Sequence, residues 1–241
     1  MPNTTAAGAF WEGVLDFVFP KRCVGCGDWD TFLCAVCEAG VKRLQPPLCL
    51  LCGDEMPAGT DTRGICYDCV ASPPAFLDGA RSTFVFGGAI REAVHALKYE
   101  GVTAIAPLFA GPLAGTIQDT RWQPSLLVPV PLHPSRRRER GYNQAEELAR
   151  AAGRVLALPV DTGRLRRLRA TGTQTHLGRG DRQTNVRGAF AWEGDRLDGQ
   201  RIVLIDDVMT SGATFAAGAE ACLAVGATEV SVLMLARVAR D

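Results

Sequence analysis

Three things are scarce in this sequence, and each absence narrows what the chain can be. Net charge is missing: 26 Lys and Arg balance 26 Asp and Glu, which excludes a uniformly basic coat for nucleic acid or an anionic membrane. Long apolar runs are missing too, and none approaches the roughly 20 residues of a membrane span. Lys21 and Arg22 follow the apolar N-terminal stretch instead of preceding it, unlike a secretion signal, so a cytoplasmic place is expected. Histidine is rare: His95, His133 and His176 stand apart, with no Cys or Asp partner at ligand or triad spacing. Neither a G-x-G-x-x-G turn nor a Walker loop occurs, which removes two common nucleotide-binding signatures.

What is present is ordinary in bulk. The 241 residues suffice for one large domain, or for a standard domain beside a small one. With 47% hydrophobic and 22% charged residues the chain is neither disordered, collagen-like nor a coiled coil. The anomaly is nine cysteines. Eight form four CxxC pairs within the first 70 residues: Cys23/Cys26, Cys34/Cys37, Cys49/Cys52 and Cys66/Cys69. Cys222 stands alone among small residues, as a buried structural thiol would.

The four pairs form a repeat, CxxCG then CxxC, twice over. In a reducing compartment such pairs point to metal ligands and away from disulfides. Two residues between cysteines let both sulfurs reach one tetrahedral ion, and the glycine that follows suits a knuckle whose positive φ turns backbone N–H groups toward the thiolates. Two structural Zn(Cys)4 sites are expected, with ligands taken consecutively; interleaved pairing is the alternative. Large apolar residues are thin between Pro20 and Pro74, so zinc would supply this segment's folding free energy. Residues 1–80 carry 5 Lys and Arg against 10 Asp and Glu, and each Zn(Cys)4 adds a formal charge of −2, so the segment is acidic. Phe10, Trp11, Val14, Leu15 and Val18 fall at helical spacing before Pro20 and are expected to pack on their own domain, with a partner-docking helix as the alternative.

From Pro73 onward β-branched runs alternate with Ala- and Leu-rich stretches. Strands are expected at Ser82 to Phe86, Ser125 to Val130, Arg201 to Asp206 and Glu229 to Ala236. Helices are expected at Ala89 to Tyr99, Thr103 to Ile117, Ala145 to Leu156 and Ala213 to Val225. That alternation predicts an α/β domain over residues 73–241, a mostly parallel sheet flanked by helices, after a ribbon domain over residues 1–72. Chemistry in such sheets sits at the carboxyl ends of the strands.

The third expected strand ends in Asp206-Asp207, followed by Thr210-Ser211-Gly212-Ala213-Thr214 at the start of a helix. Backbone N–H groups and three hydroxyls there suit a phosphate monoester, and Gly212 permits close backbone approach. The two carboxylates suit a vicinal diol, so the combination suggests a ribose 5-phosphate. After the second strand come Arg136, Arg137, Arg138 and Arg140, then Gly141, Asn143 and Gln144. Forked guanidinium donors and amides at a helix start suit a diphosphate. The basic, glycine-punctuated stretch between the motifs, with Arg169, Thr171, Gln174 and Arg182, reads as a mobile lid or an ordinary exposed loop.

The strand, Asp-Asp and Thr-Ser-Gly-x-Thr pattern resembles that of the type I phosphoribosyltransferases, which bind 5-phosphoribosyl 1-diphosphate (PRPP). The chain from about residue 10 to 238 resembles the ComF family of competence-associated proteins, which join a double zinc ribbon to such a domain. The matching pieces are Phe19 to Gly27, Leu97-Lys98-Tyr99-x-Gly101, Pro129-Val-Pro-Leu, Arg136-x-x-x-Arg140-Gly-Tyr-Asn-Gln144, Thr173-Gln174, Arg182-x-x-Asn185-Val and Asp206 to Thr214. Ser211 stands where the family often has a second threonine. The resemblance implies a type I phosphoribosyltransferase-like fold, PRPP with Mg2+ as ligand, and Asp206, Asp207, Arg136 and Arg140 as catalytic residues, with Lys98 beside the diphosphate. It implies a role in natural transformation and handling of single-stranded DNA, with a DNA-translocating ATPase as partner, and it supplies no acceptor. A transferase, a DNA-binding module and a PRPP-sensing scaffold all fit it.

Overall fold

A computed structural model describes residues 21–57, 64–74, 78–169, 188–209 and 212–239. Two short helices, α1 (Ala35–Ala39) and α2 (Tyr67–Ala71), lie in the cysteine-rich segment. Then follow β1 (Ala80–Val85), α3 (Gly88–Tyr99), a 3-10 turn (Thr103–Phe109) and α4 (Ala110–Gln118). Next come β2 (Leu126–Pro129), α5 (Pro134–Arg140), α6 (Gln144–Leu156) and the short strands β3 (Leu165–Arg167) and β4 (Phe190–Trp192). The chain ends with β5 (Arg201–Met209), α7 (Ala213–Ala224) and β6 (Glu229–Arg237).

The main sheet has the order β1-β6-β5-β2 with every pair parallel, as the alternation predicts. Its central strands are apolar on both faces because helices cover both. Ile202 and Leu204 of β5 pack with Phe215 and Cys222 of α7 and with the β3–β4 hairpin. Val203 and Ile205, one residue out of phase, pack with Leu97 of α3, Phe109, Leu113 of α4 and Leu148 of α6. Each of these large side chains contributes about 2 kcal/mol by leaving water.

The structure departs from the sequence reading in four places. The helix expected from Thr103 to Ile117 is a 3-10 turn containing Pro107 and then an α-helix, since proline has no N–H to donate. The arginine cluster, outside every helix expected from the sequence, is itself helical: Pro134 opens α5, the His133 ring accepts from Ser135 N, and Gly141 ends it at φ 83°. β5 runs on to Met209, so both aspartates lie within the strand. The start and end of the expected lid are themselves structured, as β3 and β4 pair antiparallel from Leu165↔Trp192 to Arg167↔Phe190. The stripe from Phe10 to Val18 lies outside the described residues. Among the described residues no helix is long and apolar enough to cross a membrane.

Candidate metal centres and candidate anion site

The cysteines gather in two groups, Cys23/Cys26/Cys34/Cys37 and Cys49/Cys52/Cys66/Cys69, the four sulfurs of each lying within 4.8 Å of one another. The pairing is therefore consecutive, and the interleaved alternative is excluded. Cys26 Sγ lies 3.7 Å from Cys34 Sγ, and Cys52 Sγ 3.7 Å from Cys66 Sγ. Four sulfurs about 2.3 Å from a tetrahedral zinc would sit about 3.8 Å apart, so the residues fit the ion. Gly27 and Gly53 have φ of 81° and 73°, and their N–H groups close the knuckles onto Cys23 O and Cys49 O at 2.7 and 2.9 Å. Cys34 N donates to Cys23 Sγ at 3.3 Å and Cys66 N to Cys49 Sγ at 3.3 Å. Burial works against ionisation of Cys23, yet the surrounding N–H groups bring its thiol down to about 6. The sulfurs of Cys26 and Cys23 drive Cys37 up to about 12. A divalent cation at the centre resolves that conflict between crowded thiolates.

The two groups differ in depth. Cys26 is exposed and Cys34 and Cys37 are partly so, whereas Cys49, Cys52 and Cys69 are buried. The second knuckle lies against the sheet: Ala80 N donates to Leu51 O at 2.7 Å, and a Cβ on Gly53 would stand 2.3 Å from Ala80 O. Burial pushes the nearby Arg81 guanidinium down, while the Cys49 and Cys52 sulfurs hold it up. The first knuckle contributes Val24, Phe32 and Val41 to the core beside α3.

At the carboxyl end of β5, successive side chains point to opposite faces. Asp207 turns toward α3, where Lys98 Nζ lies 2.8 Å from its Oδ1. Its Oδ2 is buried with no hydrogen-bond partner among the described residues. Asp206 turns toward β3; burial and then the Asp207 charge push its carboxyl up to about 7, with Lys98 and Arg167 pulling the other way. Arg167 is lowered by burial, with Asp206 opposing and Arg136 adding to that effect, so the three charges share one region.

Beside them, Asn143 is buried, accepts from Ala145 N at 3.1 Å and donates to Val130 O at 3.0 Å, fixing α6 to the end of β2. Arg140 hydrogen-bonds Gln144 and lies 5.5 Å over the Tyr99 ring. Gly141 supplies the turn between α5 and Asn143, and Tyr142 Oη donates to Leu97 O. The last turn of α3 thus touches both halves of the site, Asp207 through Lys98, and the end of α5 with the turn after it through Tyr99 and Leu97. Gly212, at φ 75°, is the N-cap of α7, with Ala213 buried and Thr214 partly so. Arg169 is exposed at the end of the hairpin arm. Thr210, Ser211, Thr171, Gln174 and Arg182 lie outside the described residues. Tyr99 and Tyr142 stand in the pieces that carry the resemblance but without an expected role, and Arg167 carries none in the sequence reading. His133 caps α5, His95 lies 2.9 Å from Glu100, and burial lifts the Cys222 thiol up to about 12.

A family model described as a double zinc ribbon domain matches residues 14–70. Competence protein F of Haemophilus influenzae is 28% identical over 233 residues, 91% of this chain and 98% of that protein. The DNA utilization protein YhgH of Salmonella typhi is 32% identical over 210 residues, 85% of this chain and 90% of its own length. The chain belongs to the ComF family. Competence protein ComFC of Bacillus subtilis, another ComF relative, is 26% identical over 215 residues, 86% of this chain and 85% of that protein. Among solved structures, a purine phosphoribosyltransferase from Pyrococcus horikoshii aligns at a TM-score of 0.34 and 15% identity, covering 56% of this chain and 82% of that one. A double zinc ribbon ahead of an α/β domain built on a parallel sheet, as the sequence leads one to expect, is the architecture of this chain.

Proposed function

We propose that the α/β domain binds PRPP with Mg2+ at the carboxyl ends of β2 and β5, and that this binding serves the handling of incoming single-stranded DNA during competence. The observation that carries the reading is Asp207, a buried carboxylate with one oxygen on Lys98 and the other without a hydrogen bond among the described residues. A buried acceptor left open is costly, and the hydroxyls of a ribose are donors of the kind it lacks. The glycine N-cap at the start of α7 suits the 5-phosphate, with Thr210, Ser211 and Thr214 as hydroxyl donors. Arg136, Arg140 and the Asn143–Gln144 turn suit the diphosphate. Mg2+ takes oxygen ligands and would ride on the diphosphate and ribose oxygens. The division into a ribbon through residue 72 and an α/β domain from residue 73 belongs to the same proposal, as do a cytoplasmic place and a DNA-translocating ATPase as partner.

Calorimetric titration of the zinc-loaded chain with PRPP and Mg2+ tests the reading. Saturable binding is expected, with loss of at least about tenfold in affinity in Asp207→Asn, the equivalent of about 1.4 kcal/mol. No heat in the parent protein would sink it. Release of diphosphate on adding nucleobases or single-stranded DNA separates a transferase from a sensor. A DNA-binding role without PRPP has support of its own, since residues 131–190 hold 13 Lys and Arg against 5 Asp and Glu. DNA binding that persists in Asp206→Asn/Asp207→Asn, with no PRPP binding in the parent, would favour that second reading.

A further inference from the structure

Two arginines of the parallel sheet reach into the second zinc knuckle. Arg237, the last residue of β6, is 3% exposed. Its Nη1 donates to Cys52 O at 2.6 Å and its Nη2 pairs with Asp54 Oδ1 at 2.6 Å, while Nε finds no acceptor among the described residues. Arg81, on the edge strand β1, donates from Nη1 to Cys49 O at 3.1 Å and Leu50 O at 3.2 Å. Both guanidinium groups therefore contact the backbone of ligand residues. A zinc ion on four thiolates is a formal dianion, and this one would be enclosed by Cys49, Cys52 and Cys69, all buried. Asp54 adds negative charge to the same wall, its Oδ2 3.3 Å from Cys52 Sγ. Buried charge persists only where it is paired. The first group, with Cys26 exposed, has water to screen it.

We propose that Arg81 and Arg237 are the counter-ions of the second zinc site. That zinc is held by the ribbon's sulfurs and by charges of the α/β sheet together. The inference is independent of what the α/β domain binds. It also distinguishes two readings of the Arg237–Asp54 pair. If the pair is only a latch between ribbon and sheet, removing either partner has the same effect. If Arg237 neutralises the zinc thiolates, Asp54 competes for its charge, and removing Asp54 has the opposite effect from removing Arg237.

The test is release of zinc from the full-length, zinc-loaded chain to a chromogenic chelator. Two phases of one zinc each are expected, the faster assigned to the first site by its loss in Cys26→Ser. Arg237→Met is expected to speed the slow phase at least about tenfold, with the fast phase changed less than about twofold, and Arg81→Met to act in the same direction. Arg237→Lys, which keeps the charge, stays near the parent. Asp54→Asn releases the second zinc more slowly than the parent. Equal acceleration of both phases, a slow phase indifferent to both arginines, or Asp54→Asn as fast as Arg237→Met would overturn the proposal. Should Arg237→Met fail to fold, Arg81→Met and Asp54→Asn decide the question by their opposite signs.

Discussion

Asp206 and Asp207 are adjacent in sequence and opposed in space, and the strand that separates them gives each a different electrostatic life. Asp207 faces inward to Lys98 at 2.8 Å. Lys98→Met would leave its charge buried without a partner, a loss of about 3 kcal/mol, and Asp207→Asn in the same chain should restore most of it. Denaturant unfolding of the parent, both single variants and the double variant measures that coupling; a value near zero would show the pair to be incidental. Asp206 carries the pH dependence. Burial and the Asp207 charge lift its carboxyl to about 7, above the ordinary value near 3.9. Between those values the folded chain keeps a proton that the unfolded chain has lost. This group therefore subtracts stability as pH rises from about 4 to about 7, and the loss is complete above that range. Asp206→Asn should flatten the decline and be the more stable protein near pH 8. Urea titrations between about pH 5 and pH 8, with zinc saturating, check the sign; parallel curves for the two proteins would contradict it.

Elements, more than single residues, decide how the two halves of the candidate site meet. Asn143 holds the start of α6 to the end of β2 through a cap and a buried donor. Asn143→Ala should cost about 2 kcal/mol, since it removes the cap and leaves Val130 O unpaired. Asn143→Asp keeps an acceptor for Ala145 N but loses the donor, so it should fall between the two in thermal unfolding. An alanine variant as stable as the parent would mean that water replaces both bonds. The strands were readable because β5 and β6 are apolar on both faces, a signature that survives without knowledge of neighbours. The zinc ligands were readable because their spacing is set by the ion. What escaped was tertiary or marginal. The β3–β4 hairpin has three residue pairs and takes its place from Phe190 and Trp192 packing under α7. The short helix α5 depends on a histidine cap and on Gly141, and its Arg-rich sequence carries no apolar stripe to announce it. The last turn of α3 was legible only in part: the resemblance pointed to Lys98, but its pairing with Asp207 and the partners of Leu97 and Tyr99 are distant in sequence and escaped.

Across the whole molecule, zero net charge is a cancellation between regions and says little about any one face. Residues 131–190 hold an excess of 8 positive charges, matched by an excess of 8 negative charges in the rest of the chain. Two Zn(Cys)4 centres make the remainder more acidic by a formal 4. Single-stranded DNA that binds this protein is therefore expected to contact α5 and the hairpin and to be repelled by the ribbon, so its affinity should depend on salt as though the protein were basic. Each phosphate contact contributes about −0.7 to the slope of log affinity against log salt for a single strand. Arg136→Ala/Arg138→Ala should make the slope shallower by roughly 1.4, if each arginine meets one phosphate. Neutralising Glu38 and Asp68, on the two ribbon helices, should leave it unchanged within error. Fluorescence anisotropy of a labelled oligonucleotide across a salt series measures both slopes. Equal effects from the two sets would place the contact on the molecule as a whole, and the charge separation would then have no part in binding.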